Sequence, residues 1–200
     1  MRTFLTLIFL LVIPASGLGQ GSLQPPARKN YKYQGKIVSS YDEPSDRTTV
    51  LIQLMPVKDV EDPTPLQEHS AQNPRDWSRL DLTLFFSYPA TTLITPTHVS
   101  IGFLYEAFEP ARYKDHTLSA NIDGQKLVLG KMDVLSTTKV SRRFAYKPYT
   151  RRTLELVIPY EQLLQLANAR KVKLILGEFD FNLSKDHLEA IRDLASRTVP

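Results

Sequence analysis

Between Leu80 and Tyr88 the side chains alternate in kind. Leu80, Leu82, Leu84, Phe86 and Tyr88 share one parity, and Asp81, Thr83 and Ser87 fall on the other. An extended chain sends successive side chains to opposite faces, whereas a helix cannot gather these five onto one side. Val99, Ile101, Phe103 and Tyr105 repeat the pattern. Two such segments oblige the chain to build a sheet with one buried face.

Other segments extend that sheet. Thr117 to Ile122 and Gln125 to Leu129 flank Asp123-Gly124, a pair suited to the tight turn of a hairpin. Strands are also expected over Asn30 to Val38, Thr48 to Val57, Lys131 to Ser136, Arg142 to Lys147, Arg152 to Ile158, Lys171 to Leu176 and Glu178 to Leu183. Ser39 to Asp46 reads as a turn, and Lys58 to Arg79, with Pro63, Pro65 and Pro74, as a long irregular connection. Only two segments carry helical periodicity. Pro159 to Ala169 opens on proline and stripes Tyr160, Leu163, Leu164 and Ala167. Ser184 to Ser196 opens on a capping serine and stripes Leu188, Ile191, Leu194 and Ala195. The form K-L-x-L-G-x-x-D occurs twice, at Lys126 and at Lys173, and predicts two similar strand-glycine-strand units facing each other across a sandwich. The fold class expected is mainly β: a single antiparallel β-sandwich with one short internal helix and a C-terminal helix.

The first residues read differently. Arg2 precedes an uncharged apolar run of ten residues, Phe4 to Ile13, broken only by Thr6; Pro14 and the small residues Ala15, Ser16, Gly17 and Gly19 follow. That is the layout of a secretory signal peptide, and the run is short of the roughly 20 residues a bilayer span requires. Gly17 and Gly19 suit a cut before Gln20; Ala15 and Gly17 suit one before Leu18. The division expected is a signal peptide over 1–19, a flexible linker over 20–29 and a β-sandwich domain over 30–200, not membrane-spanning once the signal is removed. The chain has no cysteine. Exported animal domains often rely on disulfides, so a bacterial protein, periplasmic or secreted, is the better expectation.

The C-terminal quarter, TLELVIPYEQLLQLANARKVKLILGEFDFNLSKDHLEAIRDLASR, runs strand, short helix, strand, glycine, aromatic strand, terminal helix. In this it resembles uncharacterised bacterial exported β-rich proteins. The resemblance implies a sandwich-like fold and an envelope location, and brings no activity or functional residues with it.

Catalytic motifs are missing. No cysteine nucleophile, no G-x-S-x-G elbow, no phosphate-binding glycine loop and no dinucleotide fingerprint occurs in the mature sequence. The four histidines, His69, His98, His116 and His187, stand in no metal-ligand spacing, so no metal, cofactor or catalytic residue is assigned. Residues 20–41 hold four basic groups and no acid, and residues 42–81 hold nine acids against four bases. A net charge of +4 with that asymmetry suggests a dipolar surface, and no dedicated nucleic-acid binding is expected.

The most suggestive constellation is KVSRRFAYKPYTRR, fourteen residues without an acid, carrying Lys139, Arg142, Arg143, Lys147, Arg151 and Arg152 among Phe144, Tyr146 and Tyr149. Guanidinium and ammonium groups attract phosphate or carboxylate, and the aromatic rings can stack on a ligand. The same basic side chains also guard a sheet edge against aggregation. Trp77 either offers a sugar platform or pins the long connection to the sandwich. The expectation is an exported, non-enzymatic binding or structural module, whose partner is an unknown protein or an anionic envelope polymer bound at this basic-aromatic edge. The alternative is a carboxylate-dependent hydrolase of envelope glycans, which needs two acids converging in a cleft.

Overall fold

The computed structural model describes residues 23–33, 35–53, 55–59, 78–92, 94–108, 115–140, 149–177 and 179–198. Among these residues eleven strands form two antiparallel sheets. The large sheet holds β1 (Ile37–Asp42), β2 (Arg47–Ile52), β3 (Met55–Asp59), β4 (Ser78–Pro89), β5 (His98–Phe108), β8 (Asp133–Val140) and β9 (Tyr149–Pro159). Its order is β1-β2-β4-β5-β9-β8, with β3 pairing the N-terminal part of β4 beyond the end of β2. The small sheet holds β6 (Thr117–Ile122), β7 (Gln125–Lys131), β10 (Val172–Leu176) and β11 (Phe179–Asn182) in the order β11-β10-β6-β7. The helices are α1 (Tyr160–Asn168) and α2 (Lys185–Ser196). The mainly β, antiparallel, sandwich-like architecture with one internal and one C-terminal helix is therefore the one the alternation implied.

One core holds these layers together. Leu80, Leu82, Leu84, Phe86 and Tyr88 of β4 and Val99, Ile101, Phe103 and Tyr105 of β5 are all buried on the inner face. The small sheet meets them with Leu118, Ala120, Leu174 and Phe181, and the helices with Leu163, Leu164, Ile191 and Leu194. Phe103 and Phe181 touch edge to face, ring centres 5.8 Å apart, and so join the two sheets directly.

Two turns carry out what their residues suggest. Asp123 and Gly124 both have positive φ, 50° and 93°, as a tight two-residue hairpin requires. The Asp123 carboxylate also accepts the backbone N–H groups of Arg170 and Lys171, which hold it below the usual carboxylate range. Ser184 caps α2 by accepting from His187 N–H.

Several boundaries differ from expectation. The run Thr48–Val57 is two strands, because the chain breaks after Ile52: Gln53 N–H donates to Lys36 O and the Thr83 hydroxyl donates to Ile52 O. The first strand begins at Ile37 rather than Asn30, since Tyr33 leaves the ladder and donates to Asp193 on α2 at 2.9 Å. Within the segment expected to be a linker, Gln24 O accepts from the Asn168 side chain on α1. The two K-L-x-L-G copies do not face each other. Both lie in the small sheet, on either side of β6, and Gly177 turns a hairpin while Gly130 lies in β7, from which the chain passes to the large sheet.

His187 replaces the usual acidic partner of a capping box. Its Nδ1 accepts Ser184 N–H at 3.1 Å, which leaves Nε2–H to donate to Pro56 O of β3 at 2.9 Å. The neutral ring thus ties α2 to the large sheet. Burial pushes the pKa of His187 down, and burial, followed by the Arg152 charge, does the same to His116. The unfolded chain takes up protons near pH 6.5 while the folded chain resists, so stability is full above that pH and falls as pH drops through it. Asp115 and Asp123, whose pKa values are lowered, add a loss only at more acid pH. Urea midpoints are expected to be lower at about pH 5 than at about pH 7.5. In His187→Gln, which keeps a capping-box side chain, that difference shrinks; an unchanged difference contradicts the assignment.

Candidate functional site

Of the residues singled out in the sequence, Lys139, Arg151 and Arg152 lie on two paired strands. Ser78, the first residue of β4, pairs with Ala107 of β5, Ala107 with Thr150 of β9, and Thr150 with Lys139 of β8. The next row is Arg79, Glu106, Arg151 and Thr138. Residues 60–77, 109–114 and 141–148, outside the described residues, leave from or return to these rows at one end of the large sheet. Trp77 immediately precedes Ser78, and Arg142, Arg143 and Lys147 lie between β8 and β9; these four also lie outside the described residues. The starts of β4 and β9 are two strand spacings apart, about 10 Å.

Beneath this end the outer face carries a row of charge. Glu106 is buried among strands and accepts from Arg151 Nε at 2.6 Å, with Arg151 Nη2 at 2.6 Å from the same oxygen. This bond raises the Arg151 pKa further. One strand over, Asp81 is 1% exposed and takes Arg79 Nε at 2.9 Å. Each arginine reaches outward past its carboxylate and remains about half exposed. A buried carboxylate stripped of such a partner leaves an uncompensated charge, so these pairs hold the strand ends in place.

Adjacent residues of one strand face opposite ways, and this divides the basic segment. Arg151 lies on the outer face with Glu106. Arg152 lies on the inner side, where its charge acts on His116, whose buried Nε2 has no hydrogen-bond partner. Lys139 is exposed on β8, the border strand of the large sheet, and makes no ion pair among the described residues. The site residues thus fall into three roles by position: Lys139 presented at the edge, Arg151 engaged with Glu106, and Arg152 turned inward.

Asp81 and Glu106 are the two acids that sequence reasoning did not single out. They occupy diagonal positions of neighbouring strands on one face, typically 7–8 Å apart by backbone geometry. Each is ion-paired to an arginine, Asp81 to Arg79 and Glu106 to Arg151. The Arg79–Asp81 pair is local to β4, with Asp81 within a strongly apolar strand as its sequence signal, whereas the Arg151–Glu106 pair depends on β5-β9 register, which no local pattern reveals.

The opposite end of the same face carries a cavity of about 410 Å³ whose walls include Arg47, Phe85, Ile94, Ser100 and Val157 and no carboxylate. Among the described residues no three histidine, aspartate or glutamate side chains gather as a metal site would require, and no helix is long and apolar enough to cross a membrane. Comparison with protein-family models, with curated proteins and with solved structures finds no match.

Proposed function

We propose that this chain is an exported, non-enzymatic binding module of the bacterial envelope or exterior, which engages its partner at the loop-bearing end of the large sheet. The partner is an anionic envelope polymer or a protein carrying a matching acidic surface. The observation that carries this reading is the register, which brings the chain on either side of the basic-aromatic segment and the chain next to Trp77 to the same end of the large sheet, with β5 between β4 and β9. Lys139, Arg142, Arg143 and Lys147 supply the charge in this reading. Arg151 supports them by neutralising Glu106, and Trp77 adds an aromatic face.

Dextran sulfate on a column is a defined anionic probe. Residues 20–200 are expected to be retained at low salt and released as salt rises, because the attraction is screened within about 10 Å at ordinary ionic strength. The variant Lys139→Ala, Arg142→Ala, Arg143→Ala, Lys147→Ala leaves the Arg151–Glu106 pair intact and is expected to elute at much lower salt. Equal retention of variant and wild type removes the basic segment from the account.

A further inference from the structure

The cavity at the far end of the outer face is not used by the proposed function. Its floor is one row of the sheet: Phe85 of β4, Ser100 of β5 and Val157 of β9 are successive cross-strand partners, all facing outward. Its wall is the connection from β4 to β5, residues 94–97, folded back over that row. This wall is pinned at both ends. Ala90 N–H donates to Asp46 O at 2.7 Å, Ala90 O accepts the Thr48 hydroxyl at 2.8 Å, and Thr97 O accepts Tyr160 N–H from α1 at 2.9 Å. Ala90 adopts a φ of 55°, a conformation alanine takes only when its surroundings enforce it. The cavity is therefore preformed, which lowers the entropic cost of filling it.

Its lining is mixed, about equally polar and apolar. Val157 is 57% exposed and Ile94 49%, two of the most exposed large apolar side chains among the described residues, and both line this one cavity. Arg47 stands at the rim, exposed, and makes no ion pair among the described residues. His98 adds a second nitrogen base, occupied by the Thr97 hydroxyl at 3.0 Å. Asp42, the cross-strand partner of Arg47, accepts from the Ser45 hydroxyl, and Glu155, on the same strand as Val157, accepts from Ser100 at 2.7 Å. Walls that mix apolar side chains (Phe85, Ile94, Val157) with hydroxyls (Ser87, Thr95, Ser100) and carry a guanidinium at the rim suit an amphipathic ligand: apolar in body, anionic at one end.

We propose that this cavity binds a small molecule with an aromatic or branched apolar body and a single carboxylate, the body covering Phe85, Ile94 and Val157 and the carboxylate meeting Arg47. Binding here is independent of the loop-bearing end, so loss of one leaves the other intact.

The test is an amide chemical-shift titration of residues 20–200 with 3-phenylpropanoate, alongside 3-phenylpropan-1-ol and 3-phenylpropylamine. The carboxylate is expected to move the amides of Ser87, Thr95, Ser100 and Val157 saturably. The alcohol binds about tenfold more weakly, as loss of one charge-assisted hydrogen bond implies. Arg47→Ala reduces carboxylate affinity to that of the alcohol, and Val157→Asp abolishes it; both positions are exposed, and an unchanged amide spectrum elsewhere verifies the fold. Equal affinity for all three probes, shifts centred away from this row, or no saturable shift at millimolar probe overturns the proposal.

Discussion

Replacing Phe103 by alanine is expected to lower the unfolding free energy by about 3–5 kcal/mol, the largest loss from any single core truncation considered. Phe103 is 1% exposed at the middle of β5, an inner strand paired with β4 on one side and β9 on the other. Its ring is one half of the edge-to-face contact with Phe181, and that contact spans the two sheets. Truncation removes the transfer energy of the ring, opens a cavity between layers that cannot collapse without moving a sheet, and strands Phe181. Phe103→Leu keeps most of the volume and is expected to cost less than about 1.5 kcal/mol. Urea unfolding followed by far-ultraviolet circular dichroism measures both. Near-equal losses for Ala and Leu would mean that Phe103 is not a packing link between the sheets.

Gly177→Ala is expected to cost about 3 kcal/mol, near the upper end for a strained backbone position. Two causes act together. Gly177 has a φ of 56°, and a Cβ built there would come closer than 3.0 Å to the Asp115 carbonyl oxygen. That neighbour is backbone just before β6, and Gly177 N–H already donates to Thr117 O at 3.0 Å, so neither side can yield without disturbing the end of the inner β10-β6 ladder of the small sheet. Gly124 provides the comparison. Its φ is also positive, at 93°, but nothing lies within 4 Å of a Cβ built there. Gly124→Ala is expected to cost only about 1 kcal/mol, the conformational part alone. If the two alanine variants unfold at the same urea concentration, the close approach of Asp115 does not constrain the turn.

Where sequence and structure agree, the cause is local. The Leu80–Tyr88 alternation became β4 because a single buried face selects one register of side chains. Asp123-Gly124 became the hairpin because its residues tolerate positive φ. Ser184 became the cap of α2 because its hydroxyl can accept a free N–H. Where they part, the cause is tertiary. No glycine or proline marks the break between β2 and β3; it is stabilised by the Thr83 hydroxyl from a neighbouring strand and by the Lys36 carbonyl. Tyr31 and Tyr33 look like strand residues, yet Tyr33 is drawn out of the sheet by Asp193, 160 residues away.

The candidate site shows the same division. The clustering of Lys139, Arg151 and Arg152 was legible as charge in the sequence, and β8 lies at a border of the large sheet. That Arg151 and Arg152 would part to opposite faces follows from strand geometry once β9 is known. That Arg151 would meet Glu106, 45 residues earlier, depends on long-range register and had no local signature. The cavity over Phe85 and Val157 was equally hidden, since its wall is a connection folded back on the sheet.

The claim that recognition occurs at the loop-bearing end is tested most directly by mapping where an anionic polymer touches the folded chain. Dextran sulfate is titrated into residues 20–200 at low salt while backbone amide shifts are followed. The account predicts that Thr138, Lys139, Thr150 and Arg79 shift first and that raising the salt reverses the change. Shifts centred on the small sheet or the helices, or no shift at this end of the large sheet, would contradict it.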